Sequence, residues 1–180
     1  YVVRVSISGA VPGVEVANYF TNRPYGSDPS EVKLIQMFAV DYDYLALYSP
    51  EMLCGRGFSE AYGNERNKVV LNEEAVRLLG YPSPEEALGK QLEMEVLEDP
   101  LEVVGVVKNY HQQSLAEPYK PILFFLKERV PFIATPYISV KMDGSVNSDR
   151  LAEVEQMYRT YFPSALFSYF YLDDYQDSLY

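Results

Sequence analysis

Chemistry that needs a nucleophile and a base has little to draw on in this chain, which holds one histidine, His111, and one cysteine, Cys54. Ser114 follows His111 by three residues, yet no Gly-x-Ser-x-Gly elbow surrounds it, and Cys54 precedes Gly55-Arg56-Gly57 instead of lying in a nucleophile motif. His111 therefore reads as a hydrogen-bonded or surface residue at a strand end. Structural zinc takes three or four ligands from Cys, His and carboxylates, and one His with one Cys is a thin supply. Asp143, Ser145, Asn147 and Asp149 put oxygen at every second position, as a calcium loop does. The loop positions that require Gly and Glu hold Ser148 and Val154, so a strand-to-helix loop ending in an N-cap explains the run better. Asp41-Tyr42-Asp43-Tyr44 fails the same test, and its carboxylates are expected to cap a short helix. Glu93, Glu95, Glu98, Asp99 and Glu102 form an acidic run with no cation among them. A glycosidase pair would need such groups, but solvated strand faces account for them more simply. Gly55-Arg56-Gly57 lacks the third glycine and the following helix of a dinucleotide loop. The seventeen tyrosines suit the edges of a core more than a binding groove. No catalytic, cofactor-binding or metal-binding residue is expected.

The elements that would position any site can be read from the apolar spacing. Val2, Val3, Val5 and Ile7 are β-branched and end at Gly9 and Pro12-Gly13, which marks a first strand. Residues 22–30 hold Pro24, Gly26, Asp28 and Pro29, a punctuation cluster expected to exclude regular structure. A strand over 32–40 and a short helix over 42–48 follow. Lys68-Val69-Val70-Leu71 reads as a strand, and Asn72 caps a helix over 73–79 that Gly80 ends. Ser83-Pro84-Glu85-Glu86-Ala87-Leu88-Gly89 repeats that grammar in one turn. Residues 92–97 alternate, residues 101–107 form a buried strand that turns at Glu98-Asp99-Pro100, and residues 121–126 and 137–142 supply two more. Leu151, Val154, Met157, Tyr158 and Tyr161 share one helical face behind Asn147. Phe167, Tyr169 and Tyr171 alternate as a last strand, and Asp173-Asp174 begins a further helix. Short turns between several strands imply antiparallel pairs, and the fold class is α+β.

Length and charge narrow the partners. The 180 residues suffice for one domain or two small ones on a discontinuous chain, and 48% apolar residues exclude general disorder. Fifteen basic against 26 acidic residues leave a net charge of −11, which repels phosphate backbones and anionic headgroups, so nucleic acid is not an expected partner. The longest charge-free stretch, residues 160–172, contains Pro163 and falls short of the roughly twenty apolar residues that cross a bilayer. With no initiator Met and no leader, the chain reads as a piece excised from something longer. Met52-Leu53-Cys54-Gly55 lies mid-chain, too far in to be a lipoprotein cleavage box.

Five ordered blocks carry a resemblance. Val40-Asp41-Tyr42-Asp43-Tyr44-Leu45, Gly55-Arg56-Gly57-Phe58-Ser59, Val69-Val70-Leu71-Asn72-Glu73-Glu74-Ala75 through Leu79-Gly80, Pro84 through Lys90, and Val103-Val104-Gly105-Val106-Val107-Lys108 with His111, Ser114-Leu115 and Pro121 resemble the periplasmic core domain of MacB/FtsX-type ABC transporter permeases. The likeness covers about residues 40–125. Where family members often read Lys-Asp-Phe-His, this chain has Lys108-Asn109-Tyr110-His111, and Cys54 is unusual at its place. The resemblance implies a domain on the periplasmic side of the bacterial cytoplasmic (inner) membrane, inserted between the first two transmembrane helices of a permease. It implies two lobes: a porter-like subdomain of residues 1–40 and 121–180, and an inserted Sabre-like subdomain of residues 41–120. The chain would cross between them near Asp41 and near Pro118 to Pro121, so Asp41, Pro118 and Pro121 are hinge candidates. The implied partners are a second copy of the permease, a cytoplasmic ATPase, and a periplasmic adaptor, hydrolase or substrate, with no cofactor. The expected role is transmission of ATP-driven movement across the membrane, in a domain without enzymatic activity. The competing reading is an extracytoplasmic peptide- or glycan-binding module. Gly105, interrupting a buried strand, is expected where another backbone comes close.

Overall fold

Runs of β-branched and aromatic residues become strands because their side chains pack well on a pleated surface. The structure, a computed structural model, describes residues 2–110 and 117–178. Its strands are β1 (Val2–Ser8), β2 (Tyr19–Pro24), β3 (Lys33–Val40), β4 (Met52–Gly55), β5 (Lys68–Asn72), β6 (Gln91–Met94), β7 (Leu101–Val107), β8 (Ile122–Leu126) and β9 (Tyr137–Met142). The helices are α1 (Tyr44–Tyr48), α2 (Glu73–Leu78), α3 (Pro84–Ala87), α4 (Ser148–Tyr161) and α5 (Leu172–Asp177). Six strands close into a barrel in the order β7-β5-β8-β3-β2-β6, with β6 pairing back onto β7. β4 adds to β7 outside this ring, while β1 and β9 form a separate antiparallel ribbon. The α+β class holds, with one closed sheet and one two-stranded sheet.

Two cores lie on either side of the barrel wall. Inside, Ile35, Met37 and Ala39 of β3 meet Leu123 and Phe125 of β8, Val69 and Leu71 of β5, and Leu92 and Met94 of β6. Outside, Phe38 and Val40, Phe124 and Leu126, and Val70 are covered by Ala10, Val16, Tyr44, Leu45 and Phe58. Phe38 and Phe124 meet edge to face with ring centroids 5.4 Å apart, the arrangement aromatic quadrupoles favour. Burial on both faces is why β3 and β8 read as nearly unbroken apolar runs; they pair in parallel, Gln36 with Ile122 through Val40 with Leu126.

Several expectations change here. The proposed lobe boundaries at 40 and 121 fall at the end of β3 and the start of β8, adjacent strands of one barrel that also holds β5, β6 and β7. Strands β2, β3 and β8 therefore sit with the middle of the chain, and only β1 and β9 pair apart from it. Residues 22–30 contain the end of β2 and a 3₁₀ turn, Pro29–Glu31, capped by Asp28. β2 was hidden because its one fully buried residue is Asn22, whose amide donates to the Phe20 carbonyl at 3.0 Å. Residues 167–171 alternate as expected but pair with no strand. β6 stops at Met94, and the chain turns at once.

Local grammar was legible elsewhere. Asn72 Oδ1 accepts from Ala75 N–H at 3.0 Å, Ser83 Oγ from Glu86 N–H at 3.4 Å, and Asn147 Oδ1 from Arg150 N–H at 3.0 Å. Each is the side-chain cap that an orphan helix N–H requires.

Candidate functional site

The ribbon meets the barrel across a seam built from polar side chains. Alternation along β1 turns Arg4, Ser6 and Ser8 toward the barrel, and β9 presents Ser139 and Lys141 on the same side, in register with Ser6 and Arg4. The Asp41 carboxylate, one residue past β3, accepts from Ser6 Oγ at 2.7 Å and from Ile7 N–H at 2.6 Å. Its Oδ1 also accepts from Asp43 N–H at 3.2 Å, which orients the start of α1. Arg4 forms an ion pair with Asp43, Tyr48 and Ser139 share a hydroxyl–hydroxyl bond of 2.7 Å, and Lys141 Nζ donates to the Leu47 carbonyl at 3.4 Å. The Asp41 and Asp43 carboxylates thus serve the ribbon. The expected helix cap is not made, since Asp43 stands at the N-cap position without a side-chain cap bond.

Behind the seam, burial pushes the phenols of Tyr44 and Tyr110 well above their ordinary range, and burial also raises Tyr48 against the opposing effect of Ser139. All three stay neutral at physiological pH and act as packing groups with polar tips. Substituting Asp41 with Ala removes a charged acceptor from three donors, two of them on the ribbon, and such bonds contribute about 1.5–3 kcal/mol each. In hydrogen exchange, the Ile7 amide of this variant should become much faster while the amides of β5 and β8 keep their protection. Slowed or unchanged exchange at Ile7 would show that Asp41 does not hold the ribbon.

The other hinge candidates lie at the second crossing. Pro118 is exposed, and Pro121 is half-buried, its carbonyl accepting from Gln36 N–H at 2.9 Å. Between them, the Lys120 carbonyl accepts from Asn72 Nδ2 at 2.8 Å. Asp41 and Pro121 thus adjoin neighbouring strands, β3 and β8, at opposite ends of their parallel pairing. Sequence reasoning missed Arg4, Ser6, Tyr48 and Ser139; the signal was the polar residue at every second place among the valines of β1.

The remaining sequence candidates are separated. His111 and Ser114 lie outside the described residues. Cys54 is in β4 opposite Val106, half-buried, and desolvation raises its thiol above the ordinary value. Among the described residues, no group of three His, Cys, Asp or Glu side chains could hold a metal ion. In the loop read against a calcium pattern, the Arg150 guanidinium donates to the Asp143 carbonyl at 2.6 Å, putting a cation where an ion would need oxygen. The acidic run finds cations on other strands: Arg23 with Glu93, and Lys68 with Glu102 at 2.5 Å. Thr21, Tyr25, Val32, Glu95, Glu98 and Asp99 help line a shallow cavity of about 610 Å³ beside it. Arg56 pairs with Glu65, which is 1% exposed, and lies 3.7 Å from the centre of the Tyr62 ring, so Gly55-Arg56-Gly57 carries a structural ion pair.

The comparisons with known proteins place this barrel and ribbon in the class of extracytoplasmic transporter domains. The family described as the MacB-like periplasmic core domain matches residues 2–156, and the chain belongs to it. The ABC transporter permease YvrN of Bacillus subtilis (strain 168) is 33% identical over 123 residues, 64% of this chain and 29% of that permease. The chain thus spans less than a third of the length of that relative. The extracellular domain of the noncanonic ABC-type transporter YknZ from Gram-positive bacteria superposes with a TM-score of 0.62 at 15% identity, covering 91% of this chain and 78% of that one. The periplasmic region of MacB from Actinobacillus actinomycetemcomitans gives 0.60 at 18% identity, covering 91% and 69%. At such identities these structures are similar in fold alone. No helix among the described residues is long and apolar enough to cross a membrane.

Proposed function

We propose that this domain transmits ATP-driven movement of a MacB/FtsX-type permease to a substrate or partner outside the cytoplasmic membrane, through relative motion of ribbon and barrel. The ribbon receives the movement, because in such a permease both ends of the domain continue toward membrane helices. The barrel carries it outward. The whole permease would work with a second copy of itself and a cytoplasmic ATPase. The lobe division we propose places β1, β9 and α4 in one part and the barrel in the other, with Asp41 at one crossing; Pro118 and Pro121 remain hinge candidates on the barrel side.

The observation that supports this reading is the chemistry of the seam. Hydrogen bonds and an ion pair exchange readily with water and contribute modestly, net, to stability. Apolar cores repack only in discrete steps. Two bodies joined by polar contacts can therefore shift against one another without opening either core, as hinge and shear movements require. Ser6→Cys with Asp41→Cys, in a Cys54→Ser background, should form a disulfide across the seam. In the full permease, the oxidised protein is expected to bind ATP normally while losing transport or partner activation, and to regain it on reduction. Undiminished function of the locked protein would mean that the domain is a rigid docking platform.

A further inference from the structure

The outer wall of the barrel is unevenly covered. Over β3, β8 and β5, apolar residues of the 10–16 loop and α1 bury Phe38, Phe124 and Val70, and the cover ends where Gln36 Nε2 donates to the Val16 carbonyl at 2.6 Å. Two residues earlier on the same face of β3, Leu34 is 56% exposed. From there across β2 to β6, no apolar layer covers the wall among the described residues. Thr21 stands opposite Leu34 and Arg23 opposite Glu93, and the side chains of Thr21, Arg23 and Glu93 form the floor of the cavity of about 610 Å³, between the 25–32 loop and the 95–100 turn. The two ends of this groove differ in kind. Tyr25, Pro29 and Val32 make one end apolar, with Tyr25 59% and Val32 43% exposed. Glu95, Glu98 and Asp99, all exposed, make the other end acidic. Arg23, the one cation among the described residues that line the groove, is already engaged: it pairs with Glu93 and donates to the Ser27 carbonyl at 2.6 Å, tying the loop to the sheet. Glu95 accepts from the neutral hydroxyl of Thr21 at 2.9 Å, and Arg129 approaches Asp99 no closer than 3.9 Å.

We propose that this groove docks an extended, basic segment of a partner protein outside the membrane, with its apolar side chains on Tyr25 and Val32 and its lysines or arginines on Glu95, Glu98 and Asp99. Charge selects this occupant. A second copy of this chain, with its net charge of −11, meets the carboxylates with like charge, and phosphates or anionic headgroups do the same. A metal ion is not served either, since no three ligating side chains converge among the described residues. The volume is that of a site that buries a short segment, not a flat protein face. An apolar end and an acidic end in one groove match an occupant that carries both characters in line, which an extended peptide supplies in successive residues. That the partner is one the permease works rests on the proposed transmission role, whereas the selectivity of the groove does not and is tested by binding alone.

The probe is a fluorescent hexapeptide alternating lysine and leucine, its binding to the 180-residue chain read by anisotropy. Binding is expected at low salt, should weaken as salt rises, and should be absent for the peptide with glutamate in place of lysine. Glu95→Gln with Glu98→Gln and Asp99→Asn should weaken it about tenfold, the combined effect of three exposed pairs. Glu15→Gln with Glu60→Gln and Glu153→Gln removes the same charge from exposed positions elsewhere and should change it less than about twofold. Tyr25→Ser should weaken binding at high salt as well, where the apolar end still holds the peptide. Equal losses in the two triple variants would show a response to net charge alone and overturn the groove, as would binding of the glutamate peptide or no binding of the lysine peptide. ATP-dependent export of the lysine peptide by the full permease, abolished by the groove variant, would make the occupant cargo and overturn the docking of a partner. Selective binding in a permease whose seam lock leaves transport intact would preserve the groove and remove only the transmission reading.

Discussion

Gly105→Ala is expected to destabilise the domain by about 3 kcal/mol, the upper end for forcing atoms into a packed interior, and to lower the melting temperature by roughly 10 °C. A methyl at Gly105 would stand 2.2 Å from the Arg56 carbonyl oxygen and 3.1 Å from its nitrogen. These are backbone atoms that cannot rotate away. Relief would require β4 to move off β7, where Gly55 pairs with Gly105 and the Arg56 N–H donates to the Val104 carbonyl at 3.0 Å. Gly55 is constrained from the other side, with φ +71° and the Val104 carbonyl 2.2 Å from its missing methyl. Thermal denaturation followed by circular dichroism measures the effect; a loss below about 1 kcal/mol, well short of an overpacking cost, would mean that the β4–β7 edge yields cheaply.

The second large effect is expected at Asn72. Its side chain is fully buried and joins three segments: Oδ1 accepts from Ala75 N–H at 3.0 Å and Ile122 N–H at 2.8 Å, and Nδ2 donates to the Lys120 carbonyl at 2.8 Å. Asn72→Ala deprives a helix cap, a strand start and a crossing of one partner each. Buried groups left unpaired cost about 1–3 kcal/mol apiece, so a total loss of about 3–5 kcal/mol is expected in urea denaturation. Asn72→Asp keeps the acceptor but sets a carboxylate against the Lys120 carbonyl. Burial and that carbonyl would raise the new aspartate's folded pKa above its unfolded value, so its stability should recover as pH falls and worsen as pH rises. A loss independent of pH would show that the Lys120 contact does not matter.

Asn72 also shows how far the sequence could be read. As a helix cap it was legible, because the pattern of Asn followed by two acids and an apolar residue is local. Its bonds to Lys120 and Ile122 were not, since nothing near position 72 announces which distant strand will lie beside it. The same holds for the barrel. The strands β3, β5, β7 and β8 were visible as apolar runs, and the closeness of backbone at Gly105 was inferred from a glycine inside one of them. Dividing the chain at residues 40 and 121 kept β3 and β8 together, but it cut β8 from β5 and β2 from β6, strands that share ladders; nothing local announces those pairings. β2 and β4 escaped notice for local reasons: one carries a buried asparagine and ends in proline, and the other is four residues long with a bulge and a positive-φ glycine. At the seam, Asp41 was marked as a crossing, but its partners Ser6 and Ile7 lie 35 and 34 residues earlier in the chain, and their meeting required the ribbon's orientation to be known.

The parallel pairing of β3 with β8 fixes an order of events during biogenesis. β6 and β7 are sequence neighbours, and their hairpin can form as soon as both have emerged, whereas the partners Gln36 and Ile122 must meet across nearly half of the chain. Until Leu126 is available, β3 and β5 both lack the strand that lies between them, and Ile35, Met37, Val69 and Leu71 face an open trough. A nascent chain delivered from its N-terminus therefore leaves one edge of its most apolar strands open until about two thirds of the domain has been made. That interval, more than the folded state, is when the domain is exposed to aggregation and proteolysis.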